Sequence, residues 1–165
     1  MRLLYEFTIS PIPNYYVIGR KKRYTSMNIF YANSHWSVRK GIVDKAKVTL
    51  KSIIKPQQFI TKSKSIHISY IYESKRTTFD IENRLGFWSK VFLDYVKGTR
   101  TIPDDNVKTV KSITYQFIYN NSTTDKLKIQ VYDISGESET DESEEGNPRI
   151  GSNSRAGGSR NKKPK

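Results

Sequence analysis

The spacing of apolar residues alternates between strand and helix periods along the first 134 positions. Residues 3–9, LLYEFTI, predict a first strand. Ser10-Pro11-Ile12-Pro13-Asn14 ends it, because proline cannot donate into a ladder. Asn33 or Ser34 is placed to cap a helix running to about Lys55, before Pro56. Its apolar positions, among them Trp36, Ile42, Ala46, Leu50 and Ile53, recur at helical spacing. Residues 65–73, SIHISYIYE, alternate, with Ile66, Ile68, Tyr70 and Tyr72 on the more apolar face. A second helix is predicted from about Asp80 to Lys97, on a stripe of Leu85, Trp88, Val91, Phe92, Tyr95 and Val96, with Gly98 at its C-terminal cap. Residues 107–119 and 126–134 read as two strands joined through a turn at 120–124, forming a terminal hairpin. The order strand, helix, strand, helix, strand, strand predicts an α+β fold: a small mixed four-stranded sheet with two helices covering one face. Beyond Ser135 the composition turns to acid, Ser, Gly, Asn and Lys. Residues 1–135 are expected to form one domain and 136–165 a disordered tail, acidic and then basic.

Charge changes this picture from a fold to a binding protein. The chain carries a formal net charge of +13. The tail beyond residue 136 holds six acids and six bases, so the whole excess belongs to the expected folded part. Such an excess points to a polyanion, since each phosphate contact releases condensed counterions. The stretch between Tyr15 and Tyr31 concentrates the signal: Arg20, Lys21, Lys22 and Arg23 are flanked by Tyr15, Tyr16, Tyr24, Phe30 and Tyr31. Basic residues grip phosphates and aromatic rings stack on bases. The plainer reading of that run is a basic hairpin with no fixed partner. There is no cysteine, which excludes disulfides and thiolate metal sites. No apolar run approaches the ~18 residues of a membrane span, and no signal-peptide pattern opens the chain, so a cytoplasmic protein is expected. His35 and His67 stand alone, without partner motifs, and read as structural.

Acids are scarce before the tail, and four of them fall at Asp80, Glu82, Asp104 and Asp105. Like charges held close repel and raise each other's pKa, a cost that a divalent cation removes. Mg²⁺ takes oxygen ligands, and in phosphodiester hydrolysis it can activate water and stabilise the leaving oxygen. The expectation is one site, with the 104–105 loop folding back beside the start of the second helix if the next strand pairs beside 65–73. The competing reading is that Asp80 caps the helix, Glu82 complements its dipole, and Pro103-Asp104-Asp105-Asn106 is a polar turn.

These residues resemble the RusA family of phage and prophage Holliday junction resolvases, over roughly 1–134. The resemblance rests on a basic approach at Lys75-Arg76, on Asp80-Ile81-Glu82-Asn83 opening a helix, and on Asp104-Asp105 before the last strands. The leading strand, proline turn and basic aromatic loop from Ser10 to Tyr24 are similar too. By placement, Asp80, Glu82 and Asp105 resemble the family's essential acids, with Asp104 beside them. Two departures stand out. Glu82 replaces the usual aspartate, and Gly86 stands where the family often carries a functional lysine; Lys90, one turn further on, is the candidate to take over. The resemblance implies a homodimer that binds four-way DNA junctions and makes paired nicks by Mg²⁺-dependent hydrolysis. Arg20, Lys21, Lys22, Arg23, Lys75 and Arg76 would hold the DNA. A degenerate form that binds DNA or RNA without cutting is the alternative.

Overall fold

The structure is a computed structural model that describes residues 1–31, 34–55, 65–75, 80–102, 104–121 and 123–136. The expected disordered stretch from 137 onward, together with Asn33 and Arg76, lies outside these residues.

In chain order the described elements are β1 (Arg2–Ile9), β2 (Tyr15–Ile18), β3 (Lys21–Tyr24), α1 (Asn28–Tyr31), α2 (Trp36–Ile53), β4 (Ile66–Ser74), α3 (Ile81–Gly98), β5 (Val110–Tyr119) and β6 (Lys126–Asp133). The α+β expectation of a mixed four-stranded sheet is met, with order β1-β6-β4-β5. A separate two-stranded hairpin, β2–β3, and the short α1 fill the region that sequence patterning treated as a basic loop. The α2 cap is His35 rather than Asn33 or Ser34: the His35 ring accepts from the Ser37 N–H at 3.3 Å. The lone histidine is therefore structural. His67 is also structural, buried on β4 with Nδ1 2.7 Å from the Ser112 hydroxyl. Among the described residues no helix is long and apolar enough to cross a membrane.

The expected hairpin of the last two strands does not form. β6 lies between β1 and β4 and is antiparallel to both, while β5 pairs with β4 in parallel. Side-chain chemistry explains the placement. Leu127, Ile129 and Val131 on β6 are fully buried, as a central strand requires, whereas β5 carries mostly exposed positions and takes the edge. A parallel β4–β5 pair needs a crossover, and α3 supplies it.

The core lies between the helices and one sheet face. Ile66, Ile68, Tyr70 and Tyr72, the predicted apolar face of β4, are all fully buried. α3 buries more than one stripe: Phe87, Trp88 and Phe92 are all sealed from solvent. None of these three is left for a partner surface, because α1 covers the extra side, stacking Phe30 on Phe87 with centroids 5.9 Å apart. Each such side chain contributes ~1.5–3 kcal/mol of burial.

Gly86 faces the same region. A Cβ there would stand 2.9 Å from Cγ of Met27, just ahead of α1. Gly86→Lys should therefore cost about 1–3 kcal/mol through overpacking. In thermal or urea denaturation, trimming the neighbour with Met27→Ala should relieve part of that cost, giving a non-additive pair.

Candidate functional site

The basic loop is an ordered amphipathic hairpin. Ile18 pairs with Lys21, leaving a two-residue turn at Gly19-Arg20, and Gly19 takes φ 62°. That left-handed conformation favours glycine at the first turn position. Tyr16, Ile18 and Arg23 form the half-buried face, which meets α2, where the Tyr16 hydroxyl lies 2.8 Å from Thr49 Oγ1. Tyr15, Val17, Lys22 and Tyr24 form the exposed face. Tyr15 and Tyr24 meet edge to face at 6.2 Å, and the Lys22 ammonium sits 4.7 Å from the Tyr15 ring centre. Arg20 and Lys21 are exposed at the tip.

Arg84 ties this hairpin to the acidic start of α3. Its guanidinium donates to the Asn14 carbonyl (3.2 Å), the Asn14 side chain, the Thr25 carbonyl (3.4 Å) and Thr25 Oγ1 (2.6 Å). Thr25 N donates to Asn14 O, closing the hairpin base, and Met27 N donates to Asn83 O on α3. Asp80 caps α3: Oδ1 accepts the Asn83 N–H at 3.0 Å and Oδ2 accepts the Asn83 side-chain amide. The Asn83 N–H holds the Asp80 carboxyl below its ordinary pKa, so it is ionised at neutral pH. Glu82, in the first turn, is exposed. Asn14, Tyr24, Thr25, Ser26, Asn28, Asp80, Asn83 and Arg84 line an open cleft of about 290 Å³. Lys75 is exposed at the end of β4, while Arg76 lies outside the described residues.

Behind the cleft, Asp125 accepts from Ser74 Oγ (2.6 Å) and the Tyr72 hydroxyl (3.2 Å). Burial raises the Tyr72 phenol pKa, and the nearby Arg84 charge opposes that rise. Arg84, Asn14 and Thr25 were not picked out from sequence. The one available signal was a cation in the first turn of α3, where the helix dipole disfavours it.

Asp104 and Asp105 do not join this site. The strand after them does pair beside β4, as expected, but in parallel, with Val110 opposite Ile66. Its entry is therefore at the opposite end of the sheet from the start of α3. Lys97, near the C-terminus of α3, binds Asp104 at 2.9 Å and Asp105 at 2.7 Å. Seventeen helical steps separate Asp80 from Lys97, about 25 Å at ~1.5 Å per residue. The Lys97 ammonium and the Asp105 N–H hold Asp104 down to about 2. The Asp105 carboxylate, and after it Asp104, raises the Lys97 pKa. Lys90 is turned along the helix toward Asp94 (3.6 Å), with its ammonium 5.7 Å from the Phe30 ring centre.

The donor set can be compared with what Mg²⁺ requires. Among the described residues, no group of three or more His, Asp or Glu side chains could hold a metal. Mg²⁺ needs only one or two carboxylates, with water and substrate phosphate completing its shell. Asp80 by itself meets the lower end of that demand, while Glu82 stands two positions on in the first helical turn, a spacing that does not face two side chains together; the four-carboxylate site expected from sequence does not form within one chain.

No family model matches the chain, and no curated protein matches it.

Two measurements probe this geometry. Arg84→Lys, which loses the planar fork, should cost about 1.5–3 kcal/mol in urea denaturation and speed amide exchange at Thr25 and Met27. Asp104 has a folded pKa of about 2 against 3.8 for the free group. Its stabilising contribution is thus present above the free value and lost as pH falls through the folded one. Between pH ~4 and ~2, Lys97→Met should show a shallower acid-induced loss of stability than the parent.

Proposed function

We propose that the protein binds four-way DNA junctions as a homodimer and nicks them by Mg²⁺-dependent phosphodiester hydrolysis at Asp80 and Glu82. The observation that supports this most directly is the Arg84 anchorage, which fixes the basic, aromatic hairpin against the acid-bearing start of α3. A phosphate held by Arg20, Lys21, Lys22 and Lys75 would lie toward the ionised Asp80 carboxylate, and the repulsion between the two is what a bound Mg²⁺ would offset. Tyr15 and Tyr24 offer exposed ring faces for bases unstacked at a branch point. Asn83 fixes the Asp80 carboxylate, and Glu82 is free to orient a water or ligate. Mg²⁺, when bound, supplies charge neutralisation at the phosphate and lowers the pKa of a bound water. A two-fold dimer suits a junction, which presents two equivalent strands. We place this activity in the cytoplasm of a bacterial or phage-infected cell, where such junctions occur.

Asp104 and Asp105 can meet Asp80 and Glu82 only from a second copy, because α3 holds the two pairs apart within one chain. The same separation favours a second reading, in which the protein holds junctions without cutting them.

A synthetic four-way junction separates the two. Wild type should give paired nicks with Mg²⁺ and none without it. Asp80→Asn and Glu82→Gln should lose about 10²–10⁴-fold in rate while retaining junction affinity. Binding without cleavage at every Mg²⁺ concentration would establish the second reading. Inactive Asp80→Asn and Asp105→Asn proteins should regain nicking when mixed if their acids act between copies; absence of rescue excludes that arrangement.

A further inference from the structure

β5 is an edge strand of an unusual kind for this chain. It runs ten residues at one side of the four-stranded sheet, with its outer backbone edge unpaired within the sheet. Opposite residues on paired strands share a sheet face, so Ile113, Tyr115 and Phe117, opposite Ile68, Tyr70 and Tyr72, stand on the helix-covered side. Phe117 packs against the core, yet the helices stop short of its neighbours along the strand. Tyr70 is sealed, while its neighbour Tyr115 is 48% exposed, Ile113 37% and Tyr119 58%.

The opposite edge of the sheet is protected in the ways natural edge strands use. β1 carries an irregularity between Leu3 and Tyr5. It also carries charges at both ends of its span: Arg2 bonds Asp133 at 3.1 Å, and Glu6 takes Gln130 and Lys128. β5 has no proline, no acid and one base, Lys111, and its one irregularity lies at its first residues, opposite Ile66 and His67, leaving Ser112 to Tyr119 in regular register with β4. In a chain of net charge +13, this is the stretch where a second copy can approach without massed positive charge facing itself.

We propose that β5 pairs antiparallel with β5 of a second copy, joining two four-stranded sheets into one. This goes beyond the dimer implied by the function above by naming its contact, and it rests on that reading only for the expectation of two-fold symmetry. The register follows from the pleat. A two-fold axis perpendicular to the sheet keeps the helix-covered faces together, so odd positions must oppose odd positions. Centring on Tyr115 sets Tyr115 against its own copy and Ile113 against Phe117, all within the regular part of β5. Both pairs are apolar or aromatic, and such cross-strand pairs stabilise a sheet. The contact is isologous, so it closes at two copies.

The test uses the full chain. Sedimentation equilibrium at micromolar concentration should give twice the chain mass for wild type. Ile113→Lys with Tyr115→Lys, both at exposed positions, should give the single-chain mass with unchanged circular dichroism and melting. Because the chain has no cysteine, Tyr115→Cys supplies a clean second measurement. It should form a covalent dimer on mild oxidation much faster than Val48→Cys, an exposed control on α2. A monomeric wild type overturns the pairing, as does a dimer that survives the double lysine substitution, or equal cross-linking of the two cysteine variants. None of these readouts depends on junction cleavage, so loss of the nuclease reading leaves the pairing standing; a dimer that survives the double lysine substitution sinks the pairing alone, and a monomeric wild type sinks both the pairing and the proposed homodimer.

Discussion

The arrangement depends most on a single guanidinium. Arg84 projects from the first turn of α3, where the helix dipole works against a cation, and is compensated by carbonyl and side-chain oxygens of Asn14 and Thr25. Hydrogen bonds from a charged donor are the stronger class, and their removal leaves acceptors unsatisfied. The hairpin, the turn into α1 and the start of α3 therefore move as one unit. Without it, the four bases at Arg20 to Arg23 would be held by the contacts with α2, among them the Tyr16–Thr49 hydrogen bond, and by the Met27–Asn83 backbone bond, and their position relative to Asp80 would be looser.

A second constraint is topological. Because β5 is parallel to β4, α3 must cross the full length of the sheet before the chain re-enters it. The crossover moves Asp104 and Asp105 to the far end, where they neutralise Lys97 instead of adding to the charge near Asp80. Two acid pairs that look like one cluster along the chain become two separate electrostatic sites. Each is satisfied locally, Asp80 by Asn83 and Asp104 and Asp105 by Lys97. Gly86 follows the same logic of local packing. Met27 occupies the space that a side chain at 86 would need, so glycine at this position has a steric cause within this fold.

The pattern of apolar residues determined the elements, because burial on one face imposes a period on a helix or strand regardless of partner. β4 and α3 were legible almost residue by residue: the alternation of Ile66, Ile68, Tyr70 and Tyr72 and the α3 stripe are the buried positions found. The cap at Asp80 was legible for the same reason, being a local hydrogen bond to Asn83. The hairpin strands were less so, since four-residue runs interrupted by bases carry too little periodicity, although a basic hairpin was the plainer reading of that run.

Pairing between distant segments was settled only by the tertiary structure. Nothing in residues 107–134 distinguishes a hairpin from two strands separated by β4; the choice rests on which strand can be sealed on both sides, and Leu127, Ile129 and Val131 meet that demand while β5 does not. Direction then decided which charges meet. Sequence shows which residues are acidic, basic or aromatic, and period shows which face they share. Whether Asp80 faces Asp105 or Arg84 faces Thr25 depends on long-range contacts, whose energies are set by neighbours far apart in the chain.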